Sequence, residues 1–180
     1  MNKLLVLFIG ILMAGCMATM PNNVSVHNST FDGSTEVTVQ PGFIYSDKGM
    51  MSYGHFMLGL HWSSSEPDLV FIKAEKPGEI INLVSEEGLM FNIDGEIVKL
   101  SSPSVTTSFD VSEYYGSVFT ESSKGYIAKL SLINRLLSAT DVKVKLVTGE
   151  GYMEGDFMAD KPSSALRGFK EFIAKVESIK

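Results

Sequence analysis

Through the middle of this chain, apolar residues recur at every second position in one segment after another, and a period of two belongs to strands. Phe56, Leu58, Leu60 and Trp62 alternate with His55, Met57, Gly59 and His61. Leu89, Phe91 and Ile93 alternate with Met90, Asn92 and Asp94, and Val142, Val144 and Leu146 alternate with Lys143 and Lys145. Successive strand side chains point to opposite faces, so each segment predicts a strand with one face in a core and the other in water. Val37 and Val39 repeat the pattern among polar neighbours, residues 69–72 form a continuous apolar run, and residues 79–84 are expected as the next strand. Asp94-Gly95 is a dipeptide favoured in two-residue hairpins, where both central residues take positive φ, so residues 96–100 are expected to return antiparallel. Further strands are expected over 105–109, 117–121, 125–130 and 152–158, the last reached through the turn Gly149-Glu150-Gly151.

Two stretches carry the period of a helix instead. Leu132, Ile133, Leu136 and Leu137 share a helical face opposite Asn134, Arg135 and Ser138, with Ser131 placed to cap a helix over 131–138. Leu166, Phe169, Phe172, Ile173 and Val176 form an apolar stripe after Pro162-Ser163-Ser164, which predicts a helix over 163–179. Burial of such residues at roughly 1.5–3 kcal/mol each is enough to dock that helix on a sheet. The expected fold is α+β: a mostly antiparallel twisted sheet covered by two helices, the C-terminal one the more secure. Strands 125–130 and 141–147, flanking the short helix, are candidate neighbours.

Cys16 is the only cysteine among 180 residues, so packing holds the fold in place of disulfides. Residues 24–180 fit a single α+β domain, long enough to hide roughly 70% of its unfolded surface. The formal charge is −6 and there is no long basic run, which argues against a nucleic-acid partner and against electrostatic adhesion to anionic lipid.

The N-terminus has the layout of an export signal: Lys3, then an apolar stretch over 4–14, then small residues. That stretch is shorter than the roughly 20 residues a membrane-spanning helix needs. Met13-Ala14-Gly15-Cys16 resembles the lipobox of bacterial lipoproteins, with Met13 standing where the family usually has Leu. The resemblance implies a cleaved signal peptide over 1–15 and Cys16 as first mature residue, carrying a diacylglycerol on sulfur and a third acyl chain on its amine. Two or more chains anchor stably, whereas one gives marginal residence. Met17 follows in place of the Asp that retains such proteins at the inner membrane, which points to the outer membrane, facing the periplasm. Residues 16–23 read as a short tether. An ordinary secretory cut after Ala18 is the rival reading, and an uncleaved anchor a further one.

No segment of the remaining chain carries a complete catalytic motif. His27, His55 and His61 are the only histidines. His55 and His61 share strand parity, but six residues along a strand span about 20 Å, too far to ligate one metal. Met50, Met51, His55 and Met57 offer soft ligands of the type Cu(I) takes, although methionines near a glycine-containing loop serve more simply as packing. Glu150, Glu154 and Asp156 surround a glycine-rich hairpin without the spacing of a calcium loop, and a solvated acidic hairpin accounts for them. The run from Ser63-Ser64-Ser65 to Glu66-Pro67-Asp68, next to His61, reads as a loop between strands; no G-x-S-x-G elbow is present. Tyr114-Tyr115-Gly116 is either an exposed contact patch or, more simply, a turn whose rings lie back on the core.

These residues leave the catalytic residues unknown and assign no cofactor and no metal. The reading they favour is a membrane-anchored lipoprotein of the cell envelope, held through acylated Cys16 and acting as a non-catalytic binding or interaction module with an envelope protein partner. The alternatives are an envelope hydrolase, its site assembled from distant residues with His27, His55 or His61 as base, and a structural envelope scaffold.

Overall fold

In the computed structural model, residues 24–44, 55–157 and 163–180 are described. Cys16, the stretch 16–23 and Met50, Met51 and Met158 lie outside them. The described residues form two antiparallel sheets and two helices. The larger sheet contains β1 (Val24–Asn28), β2 (Thr35–Phe43), β3 (Met57–Ser63), β4 (Leu69–Pro77), β7 (Ser108–Tyr114) and β8 (Ser117–Lys129), in the order β1-β2-β3-β4-β8-β7. The smaller has the order β10-β9-β5-β6, from β5 (Leu89–Ile93), β6 (Glu96–Leu100), β9 (Val142–Thr148) and β10 (Gly151–Asp156). The helices are α1 (Leu130–Ser138) and α2 (Ser164–Glu177).

The alternation decides which face of each strand is buried. Phe56, Leu58, Leu60 and Trp62 are all buried, as are Leu89, Phe91 and Ile93 of β5 and Val142, Val144 and Leu146 of β9. The inner faces of both sheets meet one core, which also takes Ile133 and Leu136 of α1 and Phe169, Phe172 and Val176 of α2. Three rings connect α2 to the smaller sheet: Phe157 meets Phe169 edge-on at 5.1 Å and Phe91 at 6.4 Å.

The larger sheet curls, and β2 carries a register shift between Val39 and Gly42 in its pairing with β3. Gly42 is required there, because a Cβ would lie 2.5 Å from the backbone nitrogen of Ala165 in α2. The start of α2 is fastened at the same place. Ser163 Oγ accepts from Leu166 N and donates to the carbonyl of Phe157, both at 3.0 Å, and Ser164 Oγ accepts from Phe43 N at 2.7 Å.

The structure corrects several expectations. The sheet content is higher than the expected single covered sheet implies, and the strands flanking α1 are not neighbours: β8 belongs to the larger sheet and β9 to the smaller. Residues 79–84 form no ladder strand, and only Leu83 makes an isolated bridge, to Thr148. Side chains supplement two isolated backbone bonds here, Val84 N to Val147 O and Gly149 N to Asn82 O. Ser122 Oγ accepts from Ile81 N and donates to Glu79 O, Thr107 Oγ1 accepts from Leu83 N, and the Tyr126 hydroxyl donates to Val84 O at 2.8 Å. The expected strands 117–121 and 125–130 are one continuous strand, β8, which enters α1 without a loop. Ser131 therefore sits inside the helix and does not cap it, and Leu130 N donates to the Asp68 carbonyl at 2.8 Å.

Candidate binding surface

The outer face of the smaller sheet is built by the residues that alternate with its core. Cross-strand register places Lys99, Met90, Lys145 and Glu154 in one row, and Ile97, Asn92, Lys143 and Asp156 in the next. All of these but Lys99 line an open hollow of about 360 Å³. One ion pair is fixed within it. Lys145 Nζ lies 2.7 Å from Glu154 Oε1 and 4.1 Å from the centre of the Tyr152 ring, a cation–π distance. The hydrogen bond that Lys145 donates to Glu154 holds its ammonium above its usual range, against a smaller opposing effect of burial. Ile97 and Tyr152 remain 54% and 62% exposed at the margins, so the face offers apolar area beside oriented charge.

The sequence-predicted acidic hairpin thus faces the lysines of β9, with one ion pair, Lys145–Glu154, formed between them. Glu154 and Asp156 do share a face, and they look across at Lys145 and Lys143. Among the described residues, no group of three or more His, Cys, Asp or Glu is arranged to hold a metal ion.

The histidines are dispersed. His27 lies on β1 opposite Glu36 and is exposed; His61 Nδ1 is 2.9 Å from Thr38 Oγ1 on the neighbouring strand; His55 Nε2 is buried without a hydrogen-bond partner. None of them lines the hollow above. The serines after Trp62 shape the turn between β3 and β4: Ser63 and Ser65 bond each other at 2.8 Å, Ser64 Oγ accepts from Thr35 N, and Trp62 Nε1 donates to Pro67 O. Met57 is half-buried on β3 opposite Glu75.

A second hollow, of about 290 Å³, lies beside the β7–β8 hairpin, where Asp110, Ser112, Phe119 and Glu121 meet Pro77 and Gly78. Partial burial, then the nearby Glu75 carboxylate, push the Glu121 carboxyl above its ordinary value, and Lys73 offsets this in part. Periodicity did not single out this cluster, because Glu75 faces away from the core side of β4 and is nonetheless buried. The Tyr115-Gly116 turn has positive φ at both residues, and the Tyr115 ring is 91% exposed rather than folded back on the core.

No helix of the described residues is long and apolar enough to cross a membrane. Comparison of the chain with known protein families, with curated proteins and with solved structures finds no match.

Proposed function

We propose that this protein is a lipid-anchored binding module of the bacterial cell envelope, attached through Cys16 to the outer membrane, with the outer face of the smaller sheet receiving an envelope protein partner. The observation that carries the binding part is the hollow lined by Met90, Asn92, Ile97 and Lys143, with the Lys145–Glu154 pair fixed beside it. Mixed apolar and charged residues on a shallow, rigid sheet face are the anatomy of a protein-recognition surface. Lys145 is already oriented by Glu154 and Tyr152, so little side-chain freedom is lost when a partner docks. The anchoring part is supported by the lipobox-like Met13-Ala14-Gly15-Cys16.

A photo-crosslinking residue at Ile97 in the full chain, expressed in its own envelope, should give a discrete adduct with one protein, and Tyr152→Ala with Lys143→Ala should remove it. A folded, membrane-bound chain that gives no adduct at Ile97 refutes the assigned surface. Intact mass separates the anchor from the surface: acylated Cys16 is expected, and an unmodified sulfur, or unchanged membrane partition of Cys16→Ser, ends the lipoprotein reading.

A further inference from the structure

We infer that the distal half of the β7–β8 hairpin rests in the interfacial layer of the membrane that holds Cys16; this inference depends on the anchored reading above. The hairpin exposes four large apolar side chains where one in water should expose polar ones. Val111 and Val118 are 63% and 66% exposed, and Phe109 and Phe119 about half exposed. The pairing of Val111 with Thr120 and of Ser112 with Phe119 puts Phe109, Val111 and Val118 on one face and Phe119 on the other. A single protein partner stacked on either face leaves the other in water. A fluid apolar layer around the tip covers both, and the exposed Tyr115 at the turn is a residue type that favours the headgroup level.

Strand direction puts the start of β1 towards the end of the larger sheet from which the hairpin extends. Cross-strand register runs from Val24 through Val39, Leu60 and Ile72 to Tyr126, so the start of β1 is level with Tyr126. β1 runs from there towards the level of Lys129, so Val24 is the end of β1 nearer the level from which β8 extends to the hairpin tip. Ser117 lies at most about 30 Å beyond the Tyr126 level at the strand rise of some 3.3 Å per residue. The residues between Cys16 and Val24 span at most about 28 Å when extended. The lipid attachment point and the tip can therefore lie in one plane.

Charge selects the kind of surface. Between Ser108 and Glu121 the hairpin carries Asp110, Glu113 and Glu121 and no Lys or Arg. Attraction to anionic headgroups is absent, and the contact suits a zwitterionic surface such as phosphatidylethanolamine. Glu113, paired with Val118 beside the turn, and the Asp110–Glu121 pair towards the base keep the insertion shallow.

The test uses the full chain, processed in a bacterial host and reconstituted in phosphatidylethanolamine–phosphatidylcholine vesicles containing a nitroxide-labelled lipid. A Ser117→Cys variant carries an environment-sensitive fluorophore, with Glu171→Cys on α2 as the control position. The Ser117 probe should emit to the blue and lose roughly half its intensity to the lipid quencher, as expected of a shallowly inserted group, while the Glu171 probe should not respond. Adding Val118→Asp and Phe119→Asp should return the Ser117 probe to the control level with the circular dichroism unchanged. The wild-type chain reports on the anchor by itself through its intact mass, which an acylated Cys16 raises by its chains and a cut after Ala18 does not. If wild type carries that mass and the Ser117 probe stays aqueous, the hairpin inference falls alone; if wild type lacks it, the anchored reading falls and takes the inference with it. A blue shift that grows with protein concentration but is insensitive to the lipid quencher shows pairing of β7 with a second copy and also overturns the inference.

Discussion

Replacing Phe169 with Ala tests how the two sheets and α2 are joined. Its ring is fully buried and meets Phe157 at 5.1 Å, which in turn meets Phe91 of the smaller sheet. Truncating a buried Phe to Ala costs about 3–5 kcal/mol from lost transfer and the cavity left behind. Within that, the edge-on ring pair contributes about 0.5–1.5 kcal/mol. A loss of about 4 kcal/mol is a large share of the roughly 5–15 kcal/mol that holds a domain together, and it lowers Tm by roughly 8–16 °C in a chain of this size. Urea and thermal unfolding followed by far-UV circular dichroism and by the fluorescence of Trp62, the only tryptophan and a buried one, give the number. Phe31, fully exposed in the turn after β1, is the control: Phe31→Ala should stay within about 0.5 kcal/mol of wild type. The cycle Phe157→Leu with Phe169→Leu should return a coupling of about 0.5–1.5 kcal/mol. A Phe169→Ala loss below about 1 kcal/mol, or no coupling in the cycle, means the ring contact does not join α2 to the smaller sheet.

Gly42→Ala should lower Tm sharply, because the new methyl would sit 2.5 Å from Ala165 N in the backbone of α2, which must retreat to admit it. Tyr126→Phe should cost about 1–3 kcal/mol by leaving the Val84 carbonyl without its hydroxyl donor, read by urea unfolding. Glu121 gives a pH dependence of definite sign. Its folded carboxyl titrates above the ordinary 4.5, so its contribution is present below that value and lost as pH rises through the folded pKa. Glu121→Gln should therefore flatten the decline in stability on the neutral side of 4.5; an unchanged pH profile of Tm refutes it. Glu96, held below 4.5 by Arg135, acts in the opposite sense on the acid side and serves as an internal reference.

Strands with one wet face and one buried face were legible. The whole of β3, the β5–β6 hairpin with its Asp94-Gly95 turn at positive φ, and β9 follow from alternation, and α2 from its apolar stripe and Ser163 cap. What failed lacks a period. β1 has no fully buried side chain and residues 108–113 of β7 are all exposed, so neither presents a pattern to read, and the strand expected over 105–109 meets β7 only at Ser108 and Phe109. Residues 79–84 look like a strand because their apolar side chains are needed near the core, yet their backbone is satisfied mostly by Ser122, Thr107 and Tyr126, with isolated backbone bonds to Val147 and Gly149. The same requirement places Ser122 and Lys124 on the inner side of β8, which broke that strand in two when read by hydrophobicity; Lys124 Nζ donates to Ser85 Oγ and to the carbonyls of Ser104 and Val105. The division into two sheets was hidden for another reason: a chain passing from β8 through α1 to β9 changes sheet without any change in composition. Of the candidate surface, the alternating lysines of β9 and the acids of β10 were visible, but their confrontation depends on register.

The pairings β4 with β8 and β5 with β9 overlap along the chain, for β5 lies inside the first span and β8 inside the second. Any contiguous fragment that contains one complete sheet also carries orphaned strands of the other. Limited proteolysis can therefore release no stable half, and assembly waits on two distant encounters whose loop-closure costs fall due together, which makes for slow, all-or-none folding. A polypeptide threaded in this way has no smaller working version of itself.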